Sequence, residues 1–516
     1  MCGILFTNIE SIGKSRFIES LNLMSYRGPD SQGYYERNKV KMGHNRLKIL
    51  DLDDRSNQPF PSHCGRYLCI FNGEIYNYRE LAKQHKIELK TTSDTELLLE
   101  LYVLHKEEML TMLNGMFAFI IYDLLDDSYF VARDRLGIKP LYIYSSSAGI
   151  AISSEVNAIL NFLPSNQIDE IGLRQYKKLR TFFDNRTLYK NVYMFPAGHY
   201  FQSGTELSPS NCTRYWTLDF TLDKDIDDEE VEFLLKSAVQ YRNISDVPVG
   251  TYLSGGLDST ILTALAKQTH SWTVGFEDNN EFEFSQIAAK KYGVSHHEII
   301  VDYENFIPSL NEIIKIRKEP LSVPNEVLLY LLTKQVKKEN TVVLSGEGAD
   351  ELFFGYDKIF WWAQSADWSV EGFDKFYSYG SGADLEIVEE VMSKYNNYST
   401  PLEKISAFFQ RDHLHGLLRR LDSSTMLNSV EARVPFVDHR LIELMASATF
   451  NYRSDHGQVV KAPLKRIFSS IIPDEVIYRK KIGFPVPLDK IFKSSDLQPM
   501  DAWLDHNLNY LINKVL

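Results

Sequence analysis

Cysteine is scarce in this chain: four thiols among 516 residues, at Cys2, Cys64, Cys69 and Cys212, with no CxxC pair and no zinc-type spacing. That excludes a disulfide-stapled scaffold and a cysteine-built zinc site, and it suggests reduced thiols in a cytoplasmic protein. Apolar runs are short. No stretch approaches the roughly 18 residues of a membrane span, so no membrane segment is expected. The first residues lack the basic-then-apolar order of a signal peptide. Positive charge is in deficit, 56 Lys and Arg against 69 Asp and Glu for a net charge of -13, so no nucleic-acid surface is expected. Internal repeats and long low-complexity segments are missing. What remains is ordinary globular composition, 44% hydrophobic and 24% charged, in a chain too long for one core.

Two patterns divide the chain. Over residues 2–205, "RYLCIFNGEIYNY" and "FAFIIYDLLDDSYFVARDR" hold β-branched and aromatic runs broken by Asn-Gly and Asp-Asp turns, and "TELLLELYVLHKEEMLTML" has helical periodicity. A mixed α+β domain is expected there. The polar stretch "FQSGTELSPSNCTRYWTLDFTLDKDIDDEE" reads as a linker into a second domain over residues 220–510. In that domain "VPVGTYLSGG", "SWTVGF", "HHEIIVD" and "TVVLSGEG" alternate with helical stretches. Such alternation predicts βαβ units and a doubly wound parallel sheet, with a largely helical C-terminal part.

The opening "MCGI" poses a chemical question. If Met1 is removed, Cys2 carries a thiol and a free α-amine on one Cα, and the nucleophile brings its own base. The plain alternative is a small buried hydrophobe. "YLSGGLDST" (252–260) is the strongest local signal: a strand, Ser254-Gly255-Gly256, then a helix near Asp258-Ser259. Backbone N–H groups and a helix N-terminus would face an anion there, with the Ser254 and Ser259 hydroxyls as added donors. The loop has no GKS or GKT and no GxGxxG, which leaves a grip on pyrophosphate or a plain strand–helix turn. "VVLSGEGADELF" (343–354) repeats the design with Glu347, Asp350 and Glu351. Mg²⁺ would reconcile these acids with a triphosphate, with Asp258 the first candidate ligand and Asp350 the second; helix capping is the alternative.

The motifs together resemble a known family. "MCGI", "RGPD" (27–30), "NGEIYNY" (72–78), "TSDTE" (92–96), "GMFAF" (115–119) and "RDRLGIKPLY" (133–142) look like a class II glutamine amidotransferase domain. "LSGGLDS", "LSGEGADELF" and "VEARVPFVD" (430–438) look like the synthetase domain of glutamine-hydrolysing asparagine synthetases. The resemblance implies a four-layer αββα N-terminal-nucleophile hydrolase fold followed by an ATP-pyrophosphatase-type domain. It implies Cys2 as nucleophile and Asn72 and Gly73 as oxyanion hole. Arg46, with Leu47, Ile49 and Leu50, would grip glutamine, whose α-amine Glu74 and Asp94 would hold. It implies ATP contacts at Leu253, Val274, Ser345 and Gly346 besides the first loop. Glu347 would act near amide formation, and Lys461 would enter from a late helix to meet phosphate. The local alternatives are an Asn-Gly hairpin turn at "NGE" and a helix cap at Ser93-Asp94.

The implied reaction is glutamine- and ATP-dependent amidation of a carboxylate through an acyl-adenylate, aspartate to asparagine first. Ammonia would pass inside the protein, since free ammonia is mostly protonated at neutral pH. Members that amidate sugar uronic acids or close lactam rings keep the acceptor open, because "RKEPLSVPNEVLLYLL" (317–332) reads Leu-Ser-Val-Pro-Asn-Glu where typical asparagine synthetases are richer in small hydroxyl residues, and it assigns no particular cation to an α-carboxylate. A non-catalytic regulatory or storage protein would have lost Cys2 or "SGGLDS", and both are intact. The oligomeric state, a homodimer included, is left open.

Overall fold

The computed structural model describes residues 2–378, 382–479, 486–493 and 496–516. The expected removal of Met1 lies outside them. The first half holds two antiparallel six-stranded sheets. One runs Val192–Met194, Tyr142–Ser146, Gly149–Ser153, Gly3–Thr7, Val40–Arg46, Ser31–Arg37. The other runs Thr213–Arg214, His199–Gln202, Ser128–Arg133, Gly115–Asp123, Tyr67–Ile75, Phe60–Pro61. Strand alternation sorts the side chains into layers. Ile4, Phe6 and Met42 meet Ile70, Ile120 and Val131 between the sheets. Leu5 faces outward to Phe17 and Leu21 of the helix Lys14–Asn22. On the far side Leu97, Leu98 and Leu101 of the helix Asp94–His105 cover Phe71 and Phe119. This is the αββα arrangement.

Two sequence expectations change here. Asn72-Gly73 is not a turn: it lies inside the nine-residue strand Tyr67–Ile75, paired residue for residue with Gly115–Asp123. Continuous pairing in a two-sided buried sheet overrides a local turn preference. The Asp-Asp pair does turn the chain, between Asp123 and Ser128. The linker is also less exposed than its polarity suggests, because Leu218 and Phe220 are buried in the main core.

The second half is a five-stranded parallel sheet in the order Ser295–Ile300, His270–Gly275, Val249–Tyr252, Val342–Leu344, Glu431–Arg433. The chain starts in the middle, builds outward, then returns on the other side. The switch point lies between Val249–Tyr252 and Val342–Leu344, where such sheets bind ligands. Both Ser-Gly loops leave these two neighbouring strands. The fifth strand, Glu431–Arg433, is three residues long and was not legible as a strand. Helices follow it to the C-terminus. One apolar cluster runs from Leu5 and Phe17 to Val343 and Phe436, so the halves share a core.

Candidate functional site

The first site forms where the strand Gly3–Thr7 begins. The backbone N–H of Cys2 donates to Asn72 Oδ1 at 3.0 Å. The other end of that amide, Asn72 Nδ2, is buried and has no hydrogen-bond partner in the protein. A buried donor without a partner is costly, and this one belongs to the amide that holds the Cys2 nitrogen. Burial pushes the Cys2 thiol up from its ordinary value, while the N–H of Leu47 and the charge of Arg46 pull it down. Arg27, of "RGPD", fixes the main chain there. Its Nε donates to Cys2 O at 3.0 Å, and its Nη atoms meet Glu155 at 2.6 Å and Asp422 at 2.9 Å. Arg27 has no exposed surface.

Arg46 is buried, but its guanidinium is already engaged. Nη1 donates to Asp53 O at 2.8 Å and Asn57 Oδ1 at 2.9 Å, and Nη2 to Leu50 O and Asp51 O. It pins the 50–53 loop through carbonyls, so a bidentate grip on a substrate carboxylate would require that loop to yield. Leu47, Ile49 and Leu50 are buried around it. Asp94 opens its helix and accepts from Ile75 N at 2.8 Å, while Ser93 supplies the cap by accepting from Thr95 N. Burial pushes both Glu74 and Asp94 up from the ordinary carboxylate range, and Arg433, from the second half, opposes this at each. Gly73 lies in the strand between Asn72 and Glu74.

The second site gathers at the switch point. In the first loop the hydroxyls knit the backbone: Ser259 Oγ donates to Gly256 O at 3.1 Å and takes the Ser254 N–H at 3.2 Å. This closes the turn from within and spends the Ser259 proton, which the sequence suggested for a ligand. Gly255 has φ +73°, and a Cβ on it would lie 2.5 Å from Ser285 N, so only glycine serves. A Cβ on Gly346 would lie 3.2 Å from Asp258 Cβ, so the two loops abut. Asp258 sits in the first turn of the helix Leu257–Ala266 without capping it. Leu253 is turned into Ala288 and Ala289, so its main chain rather than its side chain is the part near the loop mouth. Val274 is buried in the neighbouring strand, and the Ser345 N–H donates to Arg433 O at 2.8 Å.

Lys461 departs from expectation in place but not in surroundings. It precedes the helix Ala462–Phe468 rather than riding on it, with φ +55°. It is 4% exposed, and its Nζ lies 2.5 Å from Asp258 Oδ2 and 2.7 Å from Asp350 Oδ1. Burial disfavours its charge, but the two carboxylates outweigh burial and hold the ammonium above the ordinary lysine range. Gly355 makes this possible: a Cβ there would fall 1.8 Å from Asp350 Oδ1 and 2.5 Å from Lys461 Cε. Lys465 lies one turn on, half-buried. Glu347 pairs with Arg420 at 3.0 Å. Glu351 is buried and accepts from Tyr356 OH at 2.7 Å. Asp258 and Asp350 are hard oxygen donors of the kind that hold Mg²⁺, typically one or two carboxylates plus phosphate, but one oxygen of each is taken by Lys461, so a metal would be met by the other.

The sequence reading gave no role to Arg27, Gly355, Arg420, Glu431 or Arg433. Arg27 and the Glu431–Arg433 pair sit in the quoted motifs "RGPD" and "VEARVPFVD". Gly355 and Arg420 sit in no pattern that spacing could expose. In the acceptor stretch, Glu326 accepts from Ser322 N and Val323 N and meets Arg317 at 3.0 Å, so Arg317 is committed to its own loop.

A family model described as asparagine synthase matches residues 230–511, and one described as glutamine amidotransferase domain matches residues 1–216. Asparagine synthetase (glutamine-hydrolyzing) 1 of Bacillus subtilis (strain 168) is 29% identical over 96% of this chain and 87% of its own length. Asparagine synthetase (glutamine-hydrolyzing) 3 of the same strain is 30% identical over 90% of this chain and 82% of its own. Asparagine synthetase B (glutamine-hydrolyzing) of Escherichia coli (strain K12) is 28% identical over 91% of this chain and 79% of its own. No helix among the described residues is long and apolar enough to cross a membrane.

Proposed function

This chain belongs to the asparagine synthase family, and from that premise we propose that it is a glutamine-hydrolysing asparagine synthetase, with residues 2–205 as the glutaminase and 220–510 as the ATP-dependent synthetase. The observation that carries the reading is the pairing of Cys2 with Asn72: one end of the amide holds the Cys2 nitrogen, and the other end is a buried donor with no protein partner. A burial-raised thiol needs a base, and a Cys2 α-amine freed by loss of Met1 is the nearest one. Asn72 Nδ2 and the main chain at Gly73 then stabilise the oxyanion, and Glu74 and Asp94 hold the glutamine α-ammonium. The main chain at Leu47 supports the thiolate, and Arg46 meets the substrate carboxylate once the 50–53 loop releases its guanidinium.

At the second site ATP lies along Ser254–Gly256 and Ser345–Gly346, with its base toward Leu253 and Val274. Lys461 steadies the charge that builds on the α-phosphate and on departing pyrophosphate. Mg²⁺, held by Asp258 and Asp350, would supply further positive charge there. The acceptor carboxylate becomes an acyl-adenylate, and Glu347 orients the incoming ammonia. Aspartate is favoured over a uronic acid by the family to which the chain belongs; Arg317 and Arg420 are each engaged by a carboxylate of this chain. The test is amide formation from glutamine and ATP, read by mass spectrometry with aspartate and with uronic acids. Asparagine with AMP is expected; a uronamide alone would overturn the acceptor, and no product from any carboxylate the whole reading.

A further inference from the structure

Two charged residues of the synthetase half stand at the glutamine site. The strand Glu431–Arg433 pairs in parallel with Val342–Leu344 at the edge of the nucleotide sheet. Its charged side chains reach into the first half. Arg433, with no exposed surface, lies 2.6 Å from Glu431 through Nε and 3.5 Å from Glu74 through Nη2. Its Nη1 donates to Arg242 O at 2.8 Å and Ile244 O at 2.6 Å, which fixes the guanidinium. Its main-chain carbonyl meanwhile accepts the Ser345 N–H at 2.8 Å. One residue therefore touches both sites.

We propose that Arg433 and Glu431 complete the glutamine pocket across the domain boundary, as positioning residues that set the charge of Glu74 and Asp94 and hence the grip on the glutamine α-ammonium. This rests on the assignment of Glu74 and Asp94 to that ammonium. Glu74 and Asp94 are buried and pushed up from the ordinary carboxylate range, so a cation brought beside them, such as the substrate ammonium, favours their anionic forms. Among the described residues the charged groups facing Glu74 are Asp94, Glu431 and Arg433, with Lys139 acting on Glu431. Glu431 disfavours the anionic forms of Glu74 and Asp94, and Arg433 favours them. The two residues therefore act in opposite directions on one property.

That opposition is the test. The KM for glutamine hydrolysis is measured from pH 6 to 8.5 in the full-length enzyme, where the glutamine α-amine stays protonated. Arg433→Met should move the pH at which KM climbs upward, raising KM about tenfold at pH 7 with recovery toward pH 8.5, the change expected when a carboxyl holds its proton one pH unit higher. Glu431→Gln, nearly isosteric, should move it downward. Asparagine formation from added ammonium in the same preparations reports an intact fold, and Glu431→Gln carries the test alone if Arg433→Met does not fold. A merely structural role predicts KM changes of the same sign in both variants, or losses confined to kcat with no pH displacement. Either result overturns the proposal. If Glu74→Gln leaves KM unaltered, the ammonium assignment itself fails; if Glu74→Gln raises KM while neither second-half variant displaces the curve, only the cross-domain role fails.

Discussion

The two halves build their sites by different means. In the first, the working residues sit on strands or at their ends: Cys2 at the start of Gly3–Thr7, and Asn72, Gly73 and Glu74 inside Tyr67–Ile75. A fully paired strand leaves little freedom, so the site is rigid by construction. In the second, residues come from loops at strand ends and from segments far along the chain. Lys461 reaches Asp258 across 203 positions, and Arg420 reaches Glu347 across 73. On the proposed reading the first site positions a covalent step and the second stabilises spreading phosphate charge. A nucleophile needs one fixed atom, whereas a triphosphate needs several charges converging from different directions. The halves meet at Glu74 and Arg433.

The sharpest way to split them is Cys2→Ala. Glutamine hydrolysis should fall on the order of 10⁴-fold or more, while asparagine formation from ammonium salts persists; glutamine use at the normal rate in that variant would remove Cys2 from the chemistry. In the other half, Lys461→Ala and Lys461→Arg should each cost roughly 10²–10³-fold in synthesis from either nitrogen source, with Lys465→Ala costing far less. Arginine carries the charge but not the shape that fits between Asp258 and Asp350 beside Gly355. Equal losses at the two lysines would point to a damaged helix instead.

Asn72→Ala should lower kcat for hydrolysis by about 10²-fold with less effect on KM, and steady-state kinetics would show the reverse pattern if the amide only supports the chain. Asp258→Asn should depress ATP–pyrophosphate exchange by roughly 10-fold or more while hydrolysis of glutamine survives; intact exchange would reduce Asp258 to a first-turn helix acid. The smallest effect is one of pH. Burial raises the Glu74 and Asp94 carboxyls, so each loses its anion at a higher pH than an ordinary carboxylate. Glutamine KM should therefore rise as pH falls from 8 to 6, by at most about tenfold per pH unit, while ammonium-driven synthesis should not follow that curve. A flat glutamine KM would show that these acids do not hold the ammonium.

Much of this was legible beforehand because local chemistry is written in local sequence. "SGGLDS" requires a tight loop, and Gly255 alone reconciles φ +73° with Ser285 at its back. Strand–helix alternation announced the parallel sheet. Elsewhere local reading misled. Asn-Gly at 72–73 reads as a turn, yet nine cross-strand pairs hold it extended. Lys461 reads as a helix residue, yet it takes a left-handed conformation just before the helix and is buried.

The sequence by itself determined that the chain has two patterns, that strands alternate with helices in the second, and that two Ser-Gly loops follow its strands. These follow from periodicity and from residues adjacent in the chain. Only the tertiary structure decided that Arg46 is engaged by its own loop carbonyls, that Lys461 bridges Asp258 and Asp350, that Gly355 makes room for them, and that Arg433 of the second half reaches Glu74 of the first. Such facts depend on which distant side chains a packed core brings within about 3 Å, the range at which hydrogen bonds and buried charges act. That range is a property of the fold and leaves no trace in spacing along the chain.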